Sequence, residues 1–395
     1  LYIGADGLLK TAAANQPRFD WSTGRPVLLL EPAATQLLTG TMPTTFTTAA
    51  GWSHVRLSAA TPISATKRTG PTGAEEMSGI VGNTDDNSHY ITSGLYARTN
   101  NVPYSFDVFL SAGNQSWASL ALLYYNSGAP VTNRTAMFYL SGAGAVGTVS
   151  SGVTAQISYL GNGIYHCRMR NTYDNAAANQ IAGYISPAEA DGDATFAGDN
   201  STVNTWVYGA YLRQTAFFDS PILTGSATRT TEAGSTTFPI NAALAAALGT
   251  GGSWSQVFIF RPGFASTIGS NTNNVQLWRY SDSARLYLYN AGGNYLIGQK
   301  CAGVGSADAT AFRSFAAGGK LLVLATAQAG GNKRVHVYNG TSWASGTAQA
   351  YSGGMGTPST VAAYHSGSSI LGGISIDKTA ILNRVITTTE AQRFW

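Results

Sequence analysis

The chain is short of charge. Only 11% of its 395 residues are Asp, Glu, Lys or Arg, against about a quarter in an ordinary soluble protein. Its 23 basic and 19 acidic residues leave a formal charge of +4, thinly spread. No basic run is present that would neutralise a row of phosphates; Arg168 and Arg170 read as neighbours on one strand face. Nucleic acid is therefore not an expected partner. Cysteine is scarce as well. Cys167 and Cys301 cannot form the framework of a stapled secreted domain, and they read as two free, buried thiols. No apolar run approaches the roughly 20 residues that cross a bilayer, so membrane insertion is not expected. Neither a basic flank nor an apolar core accompanies Leu1, so no signal peptide is expected there. The histidines, His54, His89, His166, His336 and His365, lie far apart without zinc-ligand spacing.

Glycine and aromatics fill the space that charge leaves. The 46 Gly, 20 Tyr, 15 Phe and 8 Trp, within a 44% hydrophobic composition, argue against disorder and supply real cores. The surface must then be built from Ser, Thr, Asn, Gln and Gly. Such surfaces suit secreted and viral β-proteins that pack many copies side by side. The length implies two or three domains.

Strand-length segments with glycine-rich punctuation run through most of the chain. Tyr104, Phe106, Val108 and Leu110 fall on one face of such a segment, and 117–125, 135–140, 153–159, 163–170 and 206–212 follow. A second series begins at Trp254 and runs to Asp377. Asp6-Gly7 marks a hairpin turn near the start, and Val27–Leu30 reads as a buried strand ended by Pro32. The segment 221–236, rich in Thr, Ser and Gly, reads as a linker. Residues 241–248, with Asn241 as N-cap and Gly249 after, are the clearest helix candidate. Two sandwiches are thus expected, over 41–225 and 226–395, behind a leader arm of 1–40.

Little points to catalysis. Glu75 and Glu76 are adjacent and face opposite ways if extended. No carboxylate pair with glycosidase spacing is recognisable, and the nucleophile elbow of an α/β-hydrolase is missing. An enzyme is not expected. Asp191, Asp193 and Asp199 offer oxygen ligands in one loop region, so Ca²⁺ is the single metal considered, although a hard cation needs six to eight oxygens. A plain acidic turn is the other reading. Glycan recognition calls for exposed aromatic faces beside amides or carboxylates. The candidates are Trp52, Trp117, Tyr124 and Tyr125 in the first series, with Trp278, Tyr280 and Trp343 in the second. Trp343 ranks first, because its Ser-Trp-Ala-Ser surroundings read as a turn tip with no core to fill. Arg18 with Asp20 or Glu31 can form an arginine–carboxylate clamp. Thr387 and Glu390 fit a capping box, with Arg384 held by a carboxylate under the final strand.

Scattered motifs carry a resemblance. Gly7-Leu8-Leu9, Pro17-Arg18-Phe19-Asp20 and Leu29-Leu30-Glu31-Pro32-Ala33-Ala34-Thr35 resemble a leader of tail and fibre proteins of tailed bacteriophages, with Gln36 where that family usually has Asn. Gly161–Arg168 and Val207–Leu212 are similar to late strands of the carbohydrate-binding-module-like sandwich behind that leader. Tyr287–Asn290, Val337–Gly340, Leu371–Gly373 and Asn383-Arg384 resemble the laminin-G or concanavalin-A-like superfamily. The resemblance implies an all-β protein of two antiparallel β-sandwiches, jelly-roll or concanavalin-like. It implies a virion structural component, a symmetric homo-oligomer expected as a trimer, in contact with other virion proteins and with host polysaccharide. The alternative is a dedicated glycan-binding adhesin; a depolymerase is more distant.

Overall fold

The computed structural model describes residues 2–12, 18–21, 26–30, 34–39, 41, 44–215, 218, 220, 222, 228–229, 236–239, 252–262, 275–281, 284–291, 294–300, 309–316, 318–351, 360–363, 374–382 and 384–395. The helix candidate at 241–248, Cys301 and nearly all of the linker 221–236 lie outside them. Antiparallel strands make up almost all of the described regular structure, in several sheets that form sandwiches. No described helix is long and apolar enough to cross a membrane.

The chain packs as two compact units. Unit 1 comprises 1–14, 20–25 and 34–229; unit 2 comprises 15–19, 26–33 and 230–395. The expected leader arm is therefore not one body, because its segments alternate between the units. Its strands are β1 (Tyr2–Ile3), β2 (Leu9–Lys10), β3 (Arg18–Asp20), β4 (Val27–Leu30) and β5 (Ala34–Gln36). β3 and β4 join a sheet of unit 2, whereas β5 joins one of unit 1.

Unit 1 continues with β6 (Ser53–Val55), β7 (Ile63–Thr69), β8 (Glu75–Ile80), β9 (Asp86–Ser88), β10 (Tyr90–Thr92) and β11 (Tyr96–Ala97). Then come β12 (Pro103–Ala112), β13 (Trp117–Asn126), β14 (Ala129–Tyr139), β15 (Ala145–Val149) and β16 (Val153–Gly161). β17 (Ile164–Thr172), β18 (Gln180–Ala188), β19 (Thr195–Ala197), β20 (Thr205–Gln214) and β21 (Thr228–Arg229) complete it. One sheet runs β15-β14-β13-β18-β10-β6, with β11 also on β18; the other runs β16-β17-β12-β20-β5-β21, with β8 on β20 and β7 on β8. Tyr104, Phe106, Val108 and Leu110 project from β12 into the core between these sheets, as their alternation predicts. They meet Ala118, Leu120, Leu122 and Tyr124 of β13 and buried Cys167, a free thiol.

The opposite face of β12 is buried too. Phe109 joins Leu9, Met77, Ile164, Tyr208 and Tyr211 in a second apolar cluster, with Ile3 packed against it. The hairpin β1–β2 thus lies over the outer face of this sheet, tied by the Leu9 N–H to Pro71 O at 2.8 Å. Its turn is the predicted Asp6-Gly7, with Gly7 at φ 74°, and Lys10 reaches Asp6 at 2.6 Å. Beside the cluster, fully buried Asp107 receives Arg213 Nη2 at 2.5 Å. His166 Nε2 lies 3.6 Å from the same carboxylate, too long for a hydrogen bond. Burial pushes the Asp107 carboxyl up, but Arg213 and His166 outweigh it and hold the group below its ordinary value. Burial, helped by Arg168, pushes His166 down to about 4. A bulge lets the chain make this turn of register. Gly209 sits in it at φ 59°, and a Cβ there would meet the Tyr211 hydroxyl at 2.6 Å.

Unit 2 adds β22 (Thr236–Pro239), β23 (Trp254–Pro262), β24 (Val275–Ser281), β25 (Ala284–Ala291), β26 (Asn294–Lys300) and β27 (Ala309–Ala311). β28 (Leu321–Ala327), β29 (Asn332–Tyr338), β30 (Trp343–Ser345), β31 (Gln349–Ala350), β32 (Thr360–Ala363), β33 (Ile374–Leu382) and helix α1 (Thr388–Gln392) follow. Its sheets run β22-β32-β24-β25-β26-β27 and β3-β4-β33-β23-β28-β29-β30, with β31 on β29. β4 adds to the latter through Leu28, Leu29 and Leu30, opposite Ile376, Ser375 and Ile374. Helix α1 closes one face of that sheet over Val257, Ile259, Leu322, Leu324 and Tyr338.

The capping box is present. Thr387 Oγ1 accepts the Glu390 N–H, and Glu390 Oε2 accepts the Thr387 N–H at 2.8 Å. Arg384 differs from its expected place. It reaches Glu390 at 2.8 Å from a side chain 60% exposed, so the pair lies on the surface and not under the strand. Trp343 also differs. It begins a strand, is half-buried, and packs on Tyr338 at 5.2 Å within the helix-covered cluster.

Arg213→Ala strands the Asp107 charge and should cost about 3–5 kcal/mol in denaturant unfolding of unit 1. The same unit should weaken in acid. An unfolded chain protonates its histidine near pH ~6.5, whereas folded His166 resists until about 4, so stability falls as pH drops through that window. His166→Gln should flatten this limb. In unit 2, Trp343→Ala should cost about 2 kcal/mol, a half-buried version of the core tryptophan penalty. Arg384→Ala should leave unfolding unchanged within error. Glu390, held at about 2 first by the Thr387 N–H and then by Arg384, contributes stability above the ordinary carboxylate range and loses it as pH falls towards 2.

Candidate functional site

Sheet register decides which aromatic side chains share a surface. In β13, Ala118, Leu120, Leu122 and Tyr124 enter the core, so Trp117, Ser119, Ala121, Leu123 and Tyr125 project from the outer face. Trp117 stands opposite Tyr139 of β14 and Ala188 of β18. Ser119 stands opposite Met137 and Ser186, and Ala121 opposite Thr135 and Tyr184. One strand further, Thr92 faces Tyr184. The rings pair off: Trp117 and Tyr139 have centroids 5.0 Å apart, Tyr90 and Tyr184 4.4 Å apart. Between the two pairs the floor is made of buried Ser119 and Ser186, with Met137 beside Ser119 and Ala121 beside Tyr184. Ala121 lies four residues from Trp117, so the pairs sit about 13 Å apart along the strands. All four rings, and Tyr125, are half-buried.

The polar atoms of this face are neutral. The register places Asn133, Thr135, Gln180 and Thr92 around the aromatics, and no charged side chain among them. Burial pushes the Tyr184 hydroxyl up to about 12, against the pull of its Ser186 hydrogen bond and of Arg56. Burial raises Tyr125 as well, with Tyr90 adding to it. Both hydroxyls therefore stay protonated and donate. Charge enters through Arg56, which acts on the Tyr184 hydroxyl, and at the Trp117 end. Asp191 and the Trp117 ring both crowd Gly147, where a Cβ would lie 2.3 Å from the carboxylate and 2.7 Å from the indole.

Such a surface can stack flat apolar faces of a ligand on its rings and hydrogen-bond hydroxyls from its amides and phenols. It lacks the facing carboxylate pair of glycoside hydrolysis.

Of the residues singled out from sequence, Trp117 and Tyr125 lie on this face. Trp52 does not: it is 2% exposed and packs against Phe46 in the core. Tyr124 is also core, its hydroxyl donating to Asn171 Oδ1 at 2.9 Å. Neither offers a ring to a ligand. Trp278 and Tyr280 belong to β24, and their side chains lie outside the described residues, as does Glu31. Arg18 is buried in β3, and Asp20 accepts the Ile3 N–H at 2.8 Å, so its carboxylate secures the β1 hairpin. The three loop aspartates do separate work. Asp191 accepts the Thr148 N–H, Asp193 that of Thr195, and Asp199 those of Ser201 and Thr202. Among the described residues no group of three His, Cys, Asp or Glu side chains could hold a metal ion.

Sequence reading missed Tyr90, Tyr139 and Tyr184. Alternation alone separates Tyr125 from Tyr124, since only the former shares parity with Trp117. Bringing Tyr90 and Tyr184 beside them needs the strand order β13-β18-β10, in which β10 precedes β13 in the chain.

No protein-family model matches the chain, and no curated protein does. Among solved structures it is similar to the LG1-3 region of the laminin alpha2 chain, at 11% identity and a TM-score of 0.26. That match covers 73% of this chain and 63% of the laminin chain. Likeness at this level carries no argument about fold or function.

Proposed function

We propose that the chain is a non-enzymatic carbohydrate-binding structural protein, with the outer face of the β13–β18 sheet as its glycan platform. The observation that supports this reading is the pair of aromatic stacks, Trp117–Tyr139 and Tyr90–Tyr184, with buried Ser119 and Ser186 as the floor between them. Aromatic side chains usually vanish into a sandwich core. Here five stay half-open on one sheet face while the opposite sheet has its outer face covered. The phage-like leader motifs favour a place in a virion, as a tail, fibre or decoration component that meets host surface polysaccharide. The low charge favours assembly with copies of itself, a trimer being the expected state.

Trp117→Ala and Tyr184→Ala should each weaken retention on the recognised polysaccharide about tenfold, the scale of one lost ring contact. Being half-buried, each ring should also cost about 2 kcal/mol of stability when removed, so retention is compared below each variant's own transition. Tyr124→Ala should also unfold unit 1 more readily, but with binding by the folded fraction unchanged. A glycan array probed with the full chain, followed by affinity electrophoresis of the variants, separates these outcomes. Variants that bind as the parent does would remove the platform. A monodisperse monomer in light scattering at micromolar concentration would remove the assembly.

A further inference from the structure

One carboxylate stands beside the indole of the platform. After β18 the chain makes a tight turn, Ala190–Asp193, closed by the Asp193 N–H to Ala190 O at 3.1 Å, with Gly192 at φ 80°. Asp191, at the tip, reaches β15, where its Oδ1 accepts the Thr148 N–H at 2.6 Å. In the sheet, β13 and β14 lie between β18 and β15. The turn therefore spans the end of the sheet at which Ala188, Trp117, Tyr139 and Ala145 stand side by side. A Cβ on Gly147 would lie 2.3 Å from Asp191 Oδ1 and 2.7 Å from Trp117 Cζ3. The missing side chain at 147 lets carboxylate and indole close on the same point. Asp191 is exposed, and its Oδ2 has no hydrogen-bond or ionic partner among the described residues.

We propose that Asp191 is the specificity-determining residue of the Trp117 end, its fixed carboxylate taking the hydroxyls of a neutral hexose stacked on the indole. The inference rests on the platform reading given above and adds to it the class of sugar at one end. A hexopyranose offers a face of C–H groups that suits an aromatic ring, and a rim of hydroxyls. An ionised carboxylate accepts and cannot donate, so it selects ligand groups that donate. Its charge makes each such bond shorter and stronger than one to a neutral oxygen. Thr148 holds Oδ1 before any ligand arrives, which lowers the ordering cost of binding. A hexuronic acid in the same place would set its own carboxylate against Asp191 and is rejected. Arg56 acts at the other aromatic pair, through Tyr184, so the two ends of the platform differ in the sign of their charge.

The test uses the full chain and the neutral hexose oligosaccharide that the glycan array retains best, together with its monodeoxy analogues. Asp191→Ala should weaken binding of the oligosaccharide about tenfold or more in isothermal titration. Its melting temperature should stay near the parent's, because the side chain is exposed. At least one monodeoxy analogue should bind the parent about tenfold more weakly than the oligosaccharide does, yet bind Asp191→Ala equally well. Asp191→Ala binding as the parent does, while Trp117→Ala loses binding, would overturn the role of the carboxylate and leave the platform standing. So would deoxy analogues that lose equally in parent and variant, or an array that retains only acidic glycans. Unchanged binding by both Trp117→Ala and Tyr184→Ala would instead remove the platform, and this inference with it.

Discussion

Burial of β12 on both faces is the constraint from which the rest of unit 1 follows. A sandwich strand ordinarily gives one face to the core and the other to water. Here Ser105, Asp107, Phe109 and Ser111 are as buried as Tyr104, Phe106, Val108 and Leu110. Something must therefore lie over the outer face of that sheet, and the β1–β2 hairpin with Leu9 and Ile3 does so. The polar residue trapped there, Asp107, then needs a buried partner, and Arg213 from β20 supplies it. Burial, with Arg168 close by, drives the pKa of neighbouring His166 down and so keeps the ring neutral. One coverage decision thus fixes an ion pair, a histidine state and the role of the first ten residues.

The same decision leaves unit 1 asymmetric. With one outer face closed, the other sheet carries the open surface, and there the aromatic pairs stand. Small residues between them matter as much as the rings. Ser119, Ala121 and Ser186 keep the floor low, so a ligand can reach ring faces that bulkier neighbours would bury. The scarcity of charge on this surface favours neutral hydroxyl-bearing ligands, whose desolvation costs less than that of an ion.

Much of the architecture was legible in the residues. Period-two alternation located the strands and the inward face of β12, and Asp6-Gly7 and the Thr387–Glu390 box marked a hairpin and a helix start that the structure contains. What alternation could not supply was pairing. Tyr184 and Tyr90 become neighbours of the Trp117 strand only through hydrogen bonds to segments distant in sequence. Trp343 was misread for the same reason. Its local surroundings look like a turn, and only the pairing of β30 with β29 sets it on Tyr338. Arg384 illustrates the converse: its partner Glu390 is close in sequence, but depth is a tertiary property, and the pair came out at the surface.

The strands β4 and β5 of the leader pair within their own chain. An apolar arm such as Val27–Leu30 suggests a surface saved for another subunit. The structure instead seats β4 beside β33 within its own chain and β5 beside β20. Leu9 and Leu38 are buried in unit 1. Apolar residues already covered cannot drive association a second time. Leu9 and Leu38 therefore lend nothing to self-assembly. Low charge remains its electrostatic licence, since copies of a nearly uncharged surface approach without repulsion. The exposed side chains of β15, Val146 and Val149, stand at the edge of the platform sheet, where a neighbouring strand would meet no charged residue of β15.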